Sequence, residues 1–569
     1  MIRMRKLLHL IPLVALLLVP GTIDAAGPQR GGEPGKKLAG KHAKLDKALN
    51  DALEAGDRGR KQVIIRTRKG SRGHVRYALE LSGTEIKGEH PSIDGVIAVV
   101  AGDVLEILAN SSVIESVSID AIVTASGGRK KNRIRRTSLD TTTAPAEQTE
   151  NLLRATLGLP VDDLGGAGIG VAVIDSGIHP SADFDGRITA FYDFTRGGVR
   201  QSKPYDDYGH GTHVAGLIGS AGQLSNGQYQ GVAPAVRLVG LKVLNTQGQG
   251  LTSNVIRAIE FAVEYRLALG IDIINLSLGH PIDEPAATDP LVQAVEAAVR
   301  AGIIVVTSAG NNGTNPETGE VGYAGINSPG NAPSAITVGA LKTQNTVIRS
   351  DDRVADYSSR GPTWYDGFAK PDLVAPGHAL VSNAAGRKST LIKRYPSLQV
   401  TLDGERFLKL SGSSMATAVT TGVAALVLEA NRNAHTVLAT SCVTTDDVIG
   451  WNLSYCAPAA APPLTPNAVK MILQYTALRT QDDLGVDYHW FTQGAGGVNA
   501  AGAIALATVI DTSVPVGDPW IVAPFEPFTT SAGETLDWAQ NIVWGDHFVW
   551  GDNIVWGDNI VWGDNRLER

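Results

Sequence analysis

The sequence predicts an α/β fold: a three-layer α/β/α domain with a mostly parallel sheet, preceded by a small α+β (ferredoxin-like) domain. Near-continuous Val/Ile runs recur at 169–174, 237–243, 271–276, 303–306 and 335–338. Runs without alternation mark strands buried on both faces, as in parallel sheets. Amphipathic helical stretches fill the gaps between them, which is the pattern of a layered α/β domain. The chain has 569 residues, 43% hydrophobic and 19% charged, enough for one large core with accessory segments.

Residues 1–26 read as a secretory signal peptide. Arg3, Arg5 and Lys6 form its positive end, 7–19 its apolar stretch, and Ala25-Ala26 a small-residue exit. The other reading, a membrane anchor, meets an apolar run too short to span comfortably. No later segment is read as long and apolar enough to cross a membrane, so no stable membrane insertion should follow signal cleavage. Residues 27–43 are a Gly-, Lys- and Pro-rich linker. The small unit spans 44–123. A helical start at Leu45, Leu49 and Leu53 leads to a strand at 63–65 and an apolar-periodic stretch through Val75, Leu79 and Leu81. A strand at 96–100, a helix at 104–109 and a last strand at 113–119 complete it. Residues 124–150 are a basic, Thr-rich linker open to cutting.

The large domain spans 151–508. One helix is expected over 253–269, with Val255, Ile259, Ala262 and Val263 on its inner face. Asp289-Pro290 starts another and Gly302 ends it; Thr465-Pro466 starts a late one in the same way. The C-terminal tail, 509–569, carries a hexapeptide repeat that sets Trp544, Trp550, Trp556 and Trp562 six residues apart, with Trp538 on the same period. An even period keeps the Trp residues on one face of an extended strand. The Gly-Asp-Asn steps equally suit turns.

Three segments carry chemistry: Val173-Ile174-Asp175-Ser176-Gly177, His210-Gly211-Thr212-His213 and Gly412-Ser413-Ser414-Met415-Ala416. A serine hydroxyl needs a base to take its proton, and the base needs an acid to fix its tautomer and stabilise its charged form. Asp175 ends a buried strand; His210 and Ser414 open helices rich in small residues. A nucleophile at a helix N-terminus gains from the positive end of the dipole. Net charge is −7, and the densest basic run, Arg129 to Arg136, lies in the linker, so a nucleic-acid binder is excluded. Cys442 and Cys456 are the two cysteines. An oxidising compartment favours a structural disulfide closing a loop of about 15 residues, worth ~3 kcal/mol in the loop-entropy model; free thiols are the alternative.

On these motifs, residues from about 150 to 505 resemble a subtilisin-like serine protease, a subtilase. The resemblance implies Asp175 as the His-orienting acid, His210 as general base then acid, and Ser414 as nucleophile, with His213 in a packing role. Ser308-Ala309-Gly310-Asn311 is similar to the oxyanion segment, so Asn311 donates beside the Ser414 N–H. Ser277, Leu278 and Gly279 resemble the substrate-binding edge, Ala309 and Gly310 the opposite wall, and Asn327 falls near the floor of the primary specificity pocket. Ser413 stands where the family usually has Thr and Ala418 where it has Pro, and residues 386–410 look like an insertion near the active-site rim. The 44–123 unit resembles the subtilase propeptide, an intramolecular chaperone and inhibitor, which implies self-processing between Thr124 and Gln148.

The function expected is a secreted, extracellular serine endopeptidase, made as a self-processing zymogen, acting on polypeptide substrates and inhibited by its own propeptide. An inactive exported surface protein using the Trp repeats is the alternative, and an esterase or amidase shares the chemistry. No cofactor is required for that chemistry. Structural Ca²⁺ is known in the family, with Asp183 or Asp185 as contributors, but the sequence spells out no ligand set.

Overall fold

The computed structural model describes residues 42–125, 151–159, 164–436, 440–446, 452–458, 463–512, 514, 519–540, 542–544, 547–549, 554–556 and 560–562. The expected signal peptide and most of both linkers lie outside them.

The N-terminal unit begins with helix Lys47–Glu54. A βαββαβ unit follows: strand Lys61–Thr67, helix Arg72–Leu81, strands Glu85–His90 and Gly95–Val100, helix Gly102–Asn110 and strand Ile114–Ile119. Its four-stranded antiparallel sheet runs in the order second, third, first, fourth, the ferredoxin-like arrangement. Strand periodicity gives this sheet two jobs. Val63 and Ile65 join Val75, Leu79, Leu105 and Leu108 in the unit's own core. Ile64, between them, points the other way and joins Ile93 in a core shared with the large domain. The sequence reading has no strand at Glu85–His90, a polar edge strand with one fully buried side chain, His90.

The large domain is built on a nine-stranded sheet. Strands Ile188–Asp193, Arg237–Lys242, Gly170–Asp175, Ile273–Leu276, Ile304–Ser308, Ile336–Lys342 and Leu373–Pro376 pair parallel in that order. Short antiparallel strands, Arg200–Gln201 and Arg353–Val354, join them. Val171 and Val173 face the layer holding helices His210–Gly219, Ser413–Thr436 and Pro466–Tyr475. Ala172 and Ile174 face helices Thr252–Glu264 and Pro290–Arg300. Asp289 and Thr465 cap their helices as expected, accepting from Leu291 and Val292 N–H and from Ala468 N–H. The helix expected over 253–269 breaks at Tyr265, and a separate turn, Arg266–Leu269, follows.

Two expectations need correction. Ser413–His435 is long and apolar enough to span a bilayer by composition, but it is wholly buried at the centre of the domain. Its apolarity serves the core, where a helix hydrophobic all round belongs. The tail expected to begin at 509 packs against the domain as far as Gln540. Trp520 and Trp538 are core residues, and Trp538 Nε1 donates to Thr529 Oγ1 at 2.8 Å. Beyond it, Ile542–Trp544 pairs with His547–Val549 and Ile554–Trp556 with Ile560–Trp562, so the Gly-Asp steps separate short strands. Strands Thr440–Asp446 and Asn452–Pro458 pair with Cys442 opposite Cys456.

Candidate active site

The carboxyl ends of three neighbouring parallel strands meet at one place, the crevice where open α/β sheets bind ligands. Asp175 ends Gly170–Asp175, Ser277 follows Ile273–Leu276, and Ala309-Gly310-Asn311 follows Ile304–Ser308. Asp175 is fully buried, and each of its oxygens lies 2.9 Å from His210 Nδ1. Oδ1 also accepts from Ser176 N–H at 2.6 Å. His210 is the first residue of its helix. Gly211 is required there, since a Cβ would come within 2.2 Å of the Gly177 carbonyl oxygen and 3.1 Å of Asp175 Cβ. Burial disfavours the imidazolium, yet Asp175, by charge and hydrogen bond, and Asp206, by charge, together hold the His210 pKa above its ordinary value.

Asp206 escaped the sequence reading. It is buried, and its Oδ1 accepts from Ser176 Oγ (3.0 Å), Tyr208 N–H (3.1 Å) and Gly209 N–H (2.8 Å). Its Oδ2 accepts from the N–H and hydroxyl of Thr212 at 2.9 and 2.7 Å. The carboxylate thus caps the His210 helix and ties it to the residue after Asp175. The available signal was an acid four residues before a helix-opening histidine, a common enough pattern to pass as a turn. His213 faces away, with Nε2 on the Leu380 and Leu408 carbonyls; burial, then the His210 charge, pushes its pKa down to about 3.

Ser414, buried, opens the central helix. Its Oγ lies 3.0 Å from the Ala125 carbonyl oxygen and 3.2 Å from that of Ser277. Ser277 Oγ donates to the Ser414 carbonyl at 3.0 Å and accepts from Asn275, which Thr421 holds in turn. Asn311 Oδ1 accepts from Ser413 N–H at 2.9 Å, which leaves Nδ2 as its donor. Gly310 N–H donates to Ser413 Oγ at 3.1 Å. Gly310 has φ 108°, and a Cβ there would meet Asn327 Nδ2 at 2.7 Å. Asn327 is therefore packed against the wall formed by Ala309 and Gly310, and its Oδ1 accepts from Asn312 at 3.0 Å.

The chain's own residues lie across this crevice. Ile122–Thr124 pairs antiparallel with Gln249–Leu251 on one side. On the other, Thr124 and Gly279 exchange both backbone hydrogen bonds, at 3.0 and 3.1 Å, beside the buried Leu278. Ala125 N–H donates to the Gly248 carbonyl at 3.2 Å. Gly279 belongs to the 277–279 segment that the sequence reading proposed as a substrate edge; 249–251 was not in that reading, and its signal was Gly250, where a Cβ would stand 2.5 Å from the Val243 carbonyl oxygen. Asp120, just upstream, accepts from Ser253 N–H (2.9 Å) and Ser253 Oγ (2.7 Å), capping a helix whose own N-cap, Leu251, makes no side-chain cap hydrogen bond.

The segment 386–410 forms helix Thr390–Arg394 and strands Gln399–Leu402 and Glu405–Leu410. Thr390 and Leu391 N–H bond the carbonyls of Asp207 and Tyr208, beside the loop that delivers His210. Asp183 does not fit a calcium ligand. Its two carboxylate oxygens accept from Leu224 N–H (2.9 Å) and Asn383 Nδ2 (2.6 Å), and its carbonyl accepts from the Arg187 guanidinium. Asp185 is exposed, and among the described residues no group of three acidic, His or Cys side chains is arranged to hold a metal ion.

A sequence profile of the subtilase family matches residues 166–496. The chain is 39% identical over 346 residues to serine protease AprX of Bacillus subtilis (strain 168), covering 60% of this chain and 67% of that protein. It is 35% identical over 272 residues to subtilisin E of the same organism, covering 46% of this chain and 56% of the relative. Among solved structures, fervidolysin from Fervidobacterium pennivorans, a keratinolytic enzyme related to subtilisin, superposes with a TM-score of 0.56 at 21% identity. That match covers 83% of this chain and 64% of that one, a likeness of fold.

Proposed function

Because this chain belongs to the subtilase family of serine proteases, we propose that it is a secreted endopeptidase, made as a zymogen that cuts itself. One observation carries the reading: a buried Asp175–His210 pair and, on the central helix, Ser414 with its hydroxyl 3.0 Å from the carbonyl of Ala125, at the end of the chain's own strand. In the proposed reaction His210 Nε2 takes the Ser414 proton as Oγ attacks the scissile carbonyl carbon. Asp175 holds Nδ1–H and stabilises the imidazolium. The oxyanion receives hydrogen bonds from Asn311 Nδ2 and the Ser414 N–H, donors fixed in advance. His210 then returns the proton to the leaving amine, and water, activated by the same imidazole, releases the acyl group.

Substrate binds as the strand that 122–125 now supplies, between 249–251 and 277–279. Main-chain pairing of this kind gives affinity with little dependence on sequence. Residues 44–123 act as the inhibitory prodomain, and the first cut falls within one residue of Ala125. The basic, apolar and small-residue order of 1–26 supports export. Cys442 opposite Cys456 supports a disulfide there, since cross-strand Cα spacings of about 4.5–5.5 Å lie in the disulfide range.

A fluorophosphonate probe tests the chemistry, and N-terminal sequencing tests the processing. The probe should label Ser414 in processed protein, and mature protein should begin at Ser126 or Gly127. The Ser414→Ala chain should stay uncut in a protease-free host. Absence of labelling after the prodomain is gone, or efficient cutting of Ser414→Ala, sinks the reading.

A further inference from the structure

The prodomain and the peptidase domain bury carboxyl groups against each other. Asp46, the N-cap of the first helix, is 2% exposed; it accepts from Leu49 N–H at 2.7 Å and from Ile119 N–H at 2.5 Å. Glu284 and Asp289 of the peptidase domain are 8% and 1% exposed. Asp289 Oδ1 caps the helix Pro290–Arg300, while its buried Oδ2 has no hydrogen-bond partner among the described residues. These three acids line one cavity of about 10 Å³ with Asp283, His280 and Ser118, too small for a hydrated ion.

The surroundings are mostly acidic. Asp283 adds to the field at Asp46, Asp289 bears on Asp366, and Asp51 on Tyr365. Among the neighbouring basic and phenolic groups, Arg66 donates to the Ala287 and Thr288 carbonyls and to Glu115. Lys47 bonds Asp51, His280 Nδ1 lies 2.7 Å from the Pro281 carbonyl oxygen, and Tyr365 donates to the Asp283 carbonyl. Burying carboxylates beside like charges favours their protonated forms. Burial, then Asp283 and Asp289, outweighs two N–H bonds and pushes the Asp46 pKa up to about 7. Burial, then Asp289 and Asp46, raises that of Glu284 well above its ordinary value.

From this geometry we infer that the buried Asp46–Glu284 pair, packed against Asp289, is a pH-dependent latch: the prodomain holds while the pair carries protons and lets go as it ionises. The inference rests on reading residues 44–123 as an inhibitory prodomain. The sign follows from linkage. Docking takes up protons, because undocked acids in water return to pKa values of about 4. The hold is therefore complete below that range and is lost as pH rises through the docked values, by about tenfold per pH unit for each proton taken up. A second contact sets the lower limit. Glu260 bonds His90 Nδ1 at 2.8 Å and Ser92 N–H and Oγ at 2.9 and 2.7 Å. Despite burial, these partners hold Glu260 below the usual carboxylate pKa, so this contact fails only in stronger acid.

The test uses the uncut Ser414→Ala full chain. Hydrogen exchange at the Thr124, Gly279 and Ser253 amides, corrected for the intrinsic effect of pH, reports docking. Protection should fall at least tenfold between pH 5.5 and 8. Adding Glu284→Gln should at least halve that change on a logarithmic scale, and Asp46→Asn with Glu284→Gln should hold protection within twofold. If Asp46→Asn fails to fold, Glu284→Gln alone, on the other partner, carries the test. Strong protection that is flat with pH overturns the latch and leaves the inhibitor reading intact. Absence of protection at every pH overturns the inhibitor reading itself.

Discussion

Asp175 and Glu284 are both acids buried in the peptidase domain, and their neighbours give them opposite uses. Asp175 lies 2.9 Å from an imidazole nitrogen and accepts a backbone N–H, so it faces hydrogen-bond donors. Glu284 is surrounded by Asp289 and Asp46, so its surroundings favour the proton. Asp206 is a third case, fully occupied by N–H and O–H donors. Burial alone therefore says little about what an acid does; the sign and donor capacity of what it faces decide.

The contrast is broken most strongly at Asp175. Asp175→Asn should lower kcat by roughly 10⁴-fold, since the imidazole loses its tautomer and its counter-charge. Glu284→Gln should leave kcat of the released enzyme on a chromogenic peptide unchanged, and an equal loss from both substitutions would erase the distinction. Asn311→Leu should cost about 10²–10³ in kcat with little change in KM, the cost known for such a donor in subtilisin. Asp206→Asn should move the acid limb of the kcat/KM profile to lower pH. Activity needs the neutral imidazole, and Asp206 helps hold the His210 pKa up, so removing its charge lets the base form persist further into acid. An unmoved limb would make Asp206 a cap and nothing more. Asp120→Ala, which removes the borrowed cap on Thr252–Glu264, should destabilise the uncut chain by about 1 kcal/mol in urea and leave the mature enzyme unaffected.

Local rules made the centre of the molecule legible. The runs at 169–174 and 303–306 are continuous because both faces of those strands are covered, and Asp-Pro or Thr-Pro pairs announce their helices. Edges were less readable. Glu85–His90 and Gln249–Leu251 are polar or Gly-rich, and their strand form is imposed by partners far along the chain. Trp538 kept the period of the tail yet is a core residue, because Thr529 and Phe525 receive it. The motif residues could be named from sequence because each carries its own local signature. The acidic cluster could not, since Asp46 lies more than two hundred residues before Glu284 and Asp289 and meets them only across the packed faces of the two units.

The strand Ile122–Thr124 lies between two edges that do not otherwise pair. Its removal leaves a slot two strand spacings wide, about 9.6 Å, which admits one extended chain and excludes a helix of about 10–12 Å diameter. On the proposed reading, in which substrate takes the place of this strand, a folded protein enters only through a segment that has first come loose from its own structure. Its rate of destruction then tracks how often that segment opens, a property of the victim's local stability rather than of its sequence.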